Sequence, residues 1–274
     1  MPIRPAYPRI NILSPLAKGL VFAGLGGGAG SVGLVDASGY GNDGVLTGMD
    51  PATDWVWADE LGRWALDFDG ANDCVTAPNF VGLPTAMSFS LWSYVPSLTK
   101  CFVLGMDDLS AWDLLCYNAY GVLRLYSGNI GSRWIGNNGD FVAGQWQHFA
   151  AKYNDALAVG SKWSVYRNGA PLSKTSDNAS SIQAGSYFQI GEPQYVGYTN
   201  LLGRVADACV WVGRTLCESE IAALADPSNV MLRCGGSALI REPRPLRSFL
   251  GQAGGAPPAG TPWLYCRRSA RIIQ

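Results

Sequence analysis

Polar and apolar positions alternate most clearly between Gly62 and Val75 (GRWALDFDGANDCV), the stretch around which the rest of the chain is organised. Ala65, Asp67 and Asp69 share one parity, and Trp64, Leu66 and Phe68 share the other. Period-two alternation predicts a strand with one buried face. Asp69 and Gly70 then turn the chain, because Gly accepts positive φ and Asp bonds to nearby backbone, so the stretch reads as a hairpin. Further strands are predicted at Ala17 to Leu25, from Val45 onward, and at Met87 to Val95. In the last of these, Met87, Phe89 and Leu91 alternate with Ser88 and Ser90. Trp92 and Tyr94 share the serine parity, so both faces are expected to be covered beyond Ser90.

The pattern continues through Cys101 to Leu104, Trp112 to Asn118, Val122 to Ser127, Gln145 to Tyr153, Trp163 to Arg167, Tyr187 to Ile190 and Leu202 to Val212. Turn-forming links such as Gly136-Asn137-Asn138-Gly139 separate these runs, and Asn168-Gly169 is a type I′ hairpin signal. Roughly a dozen short strands at regular spacing predict an antiparallel β-sandwich or jelly roll. One helix is predicted after Thr215, which stands as N-cap with Glu218 reaching back; Leu216, Ile221 and Leu224 form its apolar stripe, and Pro227 stops it.

The ends differ from the body. Residues 1–16 hold four prolines, two arginines and no acid, and read as an extended N-terminal arm. Residues 17–226 form the sandwich. Residues 227–274 are rich in Pro, Gly and Arg, with a polyproline-II-like run at 241–247 and a linker-like run at 251–262. From Ser228 the chain carries seven Arg and one Glu, about +6, which leaves about −7 for the rest of a chain whose total is −1.

This balance disfavours nucleic acid as a partner, since such an arm is usually denser in Lys. Large apolar groups argue against a merely solubilising tail. Arg241, Arg244, Arg247, Phe249, Trp263, Tyr265, Arg267 and Arg268 instead suit a protein interface, where guanidinium groups pair with carboxylates and aromatics anchor. No uninterrupted apolar run spans a bilayer, and the Gly-rich 19–30 stretch lacks the form of a signal peptide, so neither membrane nor export is expected. Seven Cys without a CxxC pair read as reduced thiols, with Cys74, Cys209 and Cys217 at apolar positions.

Together the motifs resemble those of laminin-G-like, concanavalin A-like jelly rolls. Asp36-x-Ser38-Gly39-x-Gly41-Asn42-x-Gly44 and Leu66-x-Phe68-Asp69-Gly70-x-x-Asp73-x-Val75 are similar to the family's opening signatures. Ser90-x-Trp92, Trp146-x-His148, Tyr166-x-Asn168-Gly169, Ile190-Gly191, Gly203-x-Val205 and Leu216-x-x-x-Glu220-Ile221 follow in family order. The resemblance covers about residues 17–226. It implies an all-β, concanavalin A-like antiparallel sandwich with one short helix. Two further stretches, Ser14 to Val21 and Leu46 to Val56, look like a subgroup common in phage and prophage gene clusters.

That subgroup implies a non-enzymatic virion component, assembled in the host cytoplasm. It would act as a capsid decoration or a head or tail accessory protein, with arms that bind capsid or tail subunits. A symmetric homo-oligomer is expected, with a trimer as the working stoichiometry. The alternative is a lectin module that attaches to a surface polysaccharide, with Trp134 and Tyr195 as sugar-stacking candidates; Tyr117, Tyr120 and Tyr198 also lie near loops. Calcium is the one cofactor the family suggests, with Asp36 and Asp207 as ligands. The family's closing acidic pair is here reduced to Asp207, since Ala206 precedes it. Asp and Asn in such loops also bond to their own backbone. No strand carries the spaced carboxylates of a sandwich glycosidase, so no catalytic residue is assigned. His148, the single histidine, reads as a structural, hydrogen-bonded residue.

Overall fold

A computed structural model describes residues 10–25, 27–106, 112–116, 119–127, 133–192 and 198–228. Among the described residues are seventeen strands, one 3-10 turn and one α-helix. The strands are β1 (Leu20–Gly24), β2 (Gly33–Leu34), β3 (Gly44–Thr47), β4 (Trp55–Ala58), β5 (Arg63–Asp69), β6 (Cys74–Pro78), β7 (Ala86–Tyr94), β8 (Cys101–Met106) and β9 (Trp112–Cys116). They continue as β10 (Leu123–Ser127), β11 (Arg133–Ile135), β12 (Gln147–Asn154), β13 (Trp163–Arg167), β14 (Ala170–Pro171), β15 (Ser176–Asp177), β16 (Tyr187–Ile190) and β17 (Leu202–Val212). The helix α1 spans Glu218–Leu224.

These strands form two antiparallel sheets. The first has eight strands in the order β14-β13-β12-β7-β17-β5-β4, with β1 also on β17. The second has nine, ordered β15-β11-β10-β9-β8-β16-β6-β3-β2. Between them lies one apolar core. Met87, Phe89 and Leu91 of β7 meet Phe22, Phe68, Phe188, Leu123, Leu125 and Trp134 there. This is the predicted sandwich, and the inward parity of β7 is the predicted one.

The organising stretch is not a hairpin. β5 belongs to the eight-stranded sheet and β6 to the nine-stranded one, so residues 70–73 carry the chain across the sandwich as an arch. Alternation shows that one face is buried, but it does not say whether the next strand pairs beside or packs opposite. The corner is closed locally: the Asp69 N–H donates to Asp73 Oδ2 at 2.8 Å and the Ala71 N–H to Asp69 Oδ1 at 2.7 Å. The predicted hairpin at Asn168-Gly169 does form. Both residues have positive φ (49° and 81°), and Arg167 pairs with Ala170.

The outer face of the eight-stranded sheet is covered. Ile10, Leu16, Leu216 and Ile221 bury Ala150, Tyr166, Cys209 and Trp211, and Ser88 accepts the Leu216 N–H at 3.0 Å. Residues 10–16 are therefore part of the body rather than the end of an extended arm. Trp211 Nε1 donates to the Leu16 carbonyl at 2.6 Å, and Arg214 to the carbonyls of Pro15 and Lys18. Apolar Ile10 and Leu16 outweigh the extended tendency of the prolines. The helix also starts later than its sequence suggests. Cys217 is the N-cap and Glu220 accepts its N–H at 2.9 Å, displacing the predicted Thr215–Glu218 box by two residues. Cys217 is exposed there, contrary to the buried position expected, while Cys74, Cys101 and Cys209 are buried. No described helix is long and apolar enough to cross a membrane.

Candidate functional site

The outer face of the nine-stranded sheet carries a group of polar and aromatic side chains beside a depression. Leu123, Leu125 and Trp134 point into the core, so alternation turns Arg124, Tyr126, Arg133 and Ile135 outward. The β10–β11 register sets Arg124 opposite Ile135 and Tyr126 opposite Arg133. At the end of this pair is a depression of about 470 Å3, lined by Val122, Arg124, Ile135, Gly136, Asn137, Asn138 and Thr175.

Its wall is a braced turn. The Gly136 N–H continues the ladder to the Leu123 carbonyl at 3.0 Å. The Asn137 N–H donates to Asp140 Oδ2 at 2.6 Å, and Asn137 Nδ2 donates to both the carbonyl and the hydroxyl of Ser173 at 2.9 Å. Thr175 Oγ1 donates to the Gly136 carbonyl at 2.9 Å. Arg167 donates to the Asp140 carbonyl at 3.1 Å. Burial pushes the Asp140 carboxyl up from its ordinary range, against the opposing pulls of the Asn137 N–H and the Arg167 charge. Asp140 thus faces the turn, and Asn138 is the exposed amide at the rim.

Tyr120 stands beside this wall. Its carbonyl accepts the Gly139 N–H at 2.8 Å, and the next carbonyl, of Gly121, accepts the Phe141 N–H at 2.8 Å. Tyr120 is 69% exposed. Gly121 has φ 68°, and a Cβ there would lie 1.9 Å from the Phe141 carbonyl oxygen. Gly121→Ala is therefore expected to destabilise the fold by roughly 3 kcal/mol, read as a lower midpoint in urea. An unchanged midpoint would show that the turn carries no such constraint.

Further along the face, Tyr126 and Tyr198 bring their hydroxyls to 3.1 Å and pack on Phe102. Lys100 Nζ lies 4.3 Å from the Tyr198 ring centre, and the Arg133 guanidinium 6.0 Å from that of Tyr126. Rings, amides, hydroxyls and guanidinium groups on one face are suited to binding a polar, ring-containing ligand. Among the described residues that line the depression there is no carboxylate.

The sequence candidates fall in different places. Trp134 is 1% exposed and sits in the core, so the expectation that it stacks on a sugar is corrected: its β11 parity points inward. Tyr117 and Tyr195 lie outside the described residues, as do Arg241, Arg244, Arg247, Phe249, Trp263, Tyr265, Arg267 and Arg268. Asp36 uses both oxygens within the protein. Oδ1 accepts the N–H groups of Ala23 and Ser38 at 2.9 Å, and Oδ2 accepts from Ser38 Oγ at 2.7 Å and the Asn42 N–H at 3.0 Å. Asp207 is ion-paired with Arg63. Among the described residues no three His, Cys, Asp or Glu side chains are grouped to hold a metal.

His148 is fully buried. Its Nε2 is 2.8 Å from Ser90 Oγ, and its ring meets Trp92 edge-on at 5.3 Å between centres. Desolvation, then the nearby Arg63 charge, lowers its pKa to about 3, so it is a neutral structural residue at ordinary pH. Arg124, Asn137, Asn138 and Thr175 were not singled out by sequence reasoning. The available signal was Gly136-Asn137-Asn138-Gly139, which reads as a turn whether or not it borders a site.

Residues 69–222 match the family model described as the concanavalin A-like lectin/glucanases superfamily, more than half of the chain. The chain belongs to that superfamily. Domain 4 of an extracellular arabinanase from Geobacillus stearothermophilus, solved in complex with arabinotriose, superposes with a TM-score of 0.56 at 20% identity, covering 76% of this chain and 98% of that one. The receptor-binding domain of the botulinum neurotoxin C/D mosaic serotype gives 0.57 at 13% identity, and the binding domain of Paraclostridial Mosquitocidal Protein 1 gives 0.54 at 16%. These cover 76% and 77% of this chain, which spans about half the length of the two toxin domains (51% and 52%). Likeness at such identities establishes the fold. No curated protein sequence matches the chain.

Proposed function

We propose that this protein is a non-enzymatic glycan-binding module that attaches to a surface polysaccharide through the outer face of its nine-stranded sheet. The observation that supports this most is the braced depression at β10–β11, rimmed by Asn138, with the exposed Tyr120 bonded through its carbonyl to the same turn. The superfamily includes lectins, and a fold neighbour was solved with a bound arabinotriose. The test is calorimetry against arabinotriose, with a glycan array alongside. Tyr120→Ala and Asn138→Ala are each expected to weaken binding about tenfold, equal to about 1.4 kcal/mol, without moving the melting temperature. Binding that neither substitution changes, or no binding to any glycan, would overturn this reading.

A second reading is favoured by the composition of residues 227–274, where arginines alternate with Pro and large aromatics. In it the sandwich is a capsid decoration or a head or tail accessory part of a virion, with the basic segment gripping capsid or tail subunits. It predicts that a chain ending at Asp226 stays folded but no longer assembles or binds purified particles, as measured by light scattering. Unchanged assembly and particle binding would remove it. The two readings are compatible in a virion part that also attaches to a host polysaccharide.

A further inference from the structure

We infer that the outer face of the eight-stranded sheet carries a second sugar-binding site, built from Trp146, Tyr94, Arg204 and Asp67 and suited to a neutral glycan. The four side chains form one row across adjacent strands. Tyr94 of β7 pairs with Arg204 of β17, and Arg204 pairs with Asp67 of β5. Trp146 precedes β12 by one residue. Gln147 pairs with Ser93, so Trp146 comes beside Tyr94, with ring centres 5.8 Å apart. Leu66, Phe68, Leu91, Phe149 and Val205 of the same strands face the core, so alternation turns the row outward. Elsewhere this face is covered: residues 10–16 and α1 lie over Tyr166 and Trp211, and Leu61 packs with Ala65, Trp92 and Ala206. The row itself stays half-buried, and the side chains of Arg204 and Asp67 are 38% and 35% exposed.

An ion pair so exposed holds little of a fold together, which leaves recognition as the use of this arrangement. The row combines two kinds of contact. The rings of Trp146 and Tyr94 present apolar faces with polar edges. Arg204 lies 5.6 Å from the Tyr94 ring centre and 3.2 Å from Asp67 Oδ2, so its guanidinium is held between ring and carboxylate. A guanidinium has five N–H donors and a carboxylate two acceptor oxygens, so this contact leaves donors and acceptors side by side toward solvent. Adjacent sugar hydroxyls, each both donor and acceptor, match that pair, while the C–H face of a sugar ring matches an aromatic side chain. The pair is net neutral, so the row favours an uncharged chain. It crosses three inter-strand spacings, about 14 Å, room for a short run of sugars. The β10–β11 depression lies on the other sheet, so this site stands whether or not the depression binds sugar. A chain with both sites would cross-link glycan strands.

Affinity electrophoresis of the full-length protein in gels containing arabinan, xylan, galactomannan or polygalacturonate tests this. At least one of the three neutral polymers is expected to retard the protein, equally at about 50 and 300 mM salt. In an Asn138→Ala background, Trp146→Ala should weaken that retardation about tenfold, and so should Arg204→Gln combined with Asp67→Asn. Retardation by no neutral polymer, or retardation that these changes leave intact, overturns the second site. In the latter case a loss with Asn138→Ala or Tyr120→Ala alone still upholds the β10–β11 reading. Retardation that Trp146→Ala removes, and that Asn138→Ala and Tyr120→Ala do not touch, upholds the second site and counts against that reading. A preference for polygalacturonate that fades with salt overturns the neutral class. A dimer in light scattering that Trp146→Ala converts to a monomer makes the row a protein contact and overturns the inference. If Trp146→Ala fails to fold by circular dichroism, the protein with Arg204→Gln and Asp67→Asn decides alone, because that exposed pair contributes little to stability.

Discussion

Arg63→Met should destabilise the fold by about 3–5 kcal/mol, the usual cost of leaving one partner of a buried ion pair uncompensated. Arg63 is buried and binds three separate segments. Its Nε donates to the Leu61 carbonyl at 2.9 Å, one terminal nitrogen meets the Asp207 carboxylate, and the other meets the Pro227 carbonyl. It therefore ties the turn before β5, the irregular step of β17 between Ala206 and Cys209, and the end of the described body. Removing it takes the Arg63 cation from the Asp207 carboxylate, which is 13% exposed, and a donor from each of two carbonyls.

Combining Arg63→Met with Asp207→Asn should recover at least about 1 kcal/mol relative to the sum of the single changes, because the stranded charge is then gone. Asn suits that position because Asp207 has φ 51°, in the left-handed region that Asn tolerates. Urea unfolding of the four proteins checks this. A loss below about 1 kcal/mol for Arg63→Met alone, or strict additivity, would show that the pair holds little of the fold together.

Much of the sandwich was legible because its strands keep strict parity. Met87, Phe89 and Leu91 are inward as their spacing requires, and the serines between them are buried under a second layer, as Trp92 and Tyr94 on their parity suggested. The turn chemistry of Asn168-Gly169 was equally readable, since few residues other than Asn and Gly accept successive positive φ angles. What parity cannot encode is which sheet a strand joins. The corner at Asp69–Asp73 uses the same Asp-Gly chemistry as a hairpin, yet it leads into the opposite sheet.

The site was less legible than the fold, for a related reason. Trp134 and Tyr120 are both aromatic residues close to Gly-rich links, and composition does not distinguish them. The structure separates them by one fact each: Trp134 shares the inward side of its sheet with Leu123 and Leu125, whereas Tyr120 precedes a glycine that seats its carbonyl against the next turn. Asp36 shows the same limit for charge. Its motif reads equally well as a metal loop or an Asx turn, and only the four donors around its oxygens show how it is used here.

Acid should unfold this protein earlier than its carboxylates alone would suggest, and His148 is the reason. Its pKa is about 3 in the folded state against 6.5 for an ordinary histidine. The unfolded chain therefore takes up the proton first as pH falls. Stability is unaffected above about pH 6.5 and then declines by about 1.4 kcal/mol per pH unit until the folded-state pKa is reached. Between pH 7.5 and 4.5 this amounts to about 3 kcal/mol. Asp73 and Asp140 act in the opposite sense, because burial raises them and the folded state then favours their protonated forms. Asp155, lowered to about 2 by hydrogen bonds from Ser181, Tyr153 and Lys162, adds its own loss mainly below the pKa of an ordinary Asp. The comparison that isolates His148 is therefore with His148→Gln, whose amide can still meet Ser90 but does not titrate. The variant is expected to be less stable at pH 7.5, through imperfect packing against Trp92, yet to lose about 3 kcal/mol less than the native protein on moving to pH 4.5. Urea unfolding at the two pH values measures both changes. Parallel declines would mean that protonation of some other group, and not of the buried histidine, governs acid stability.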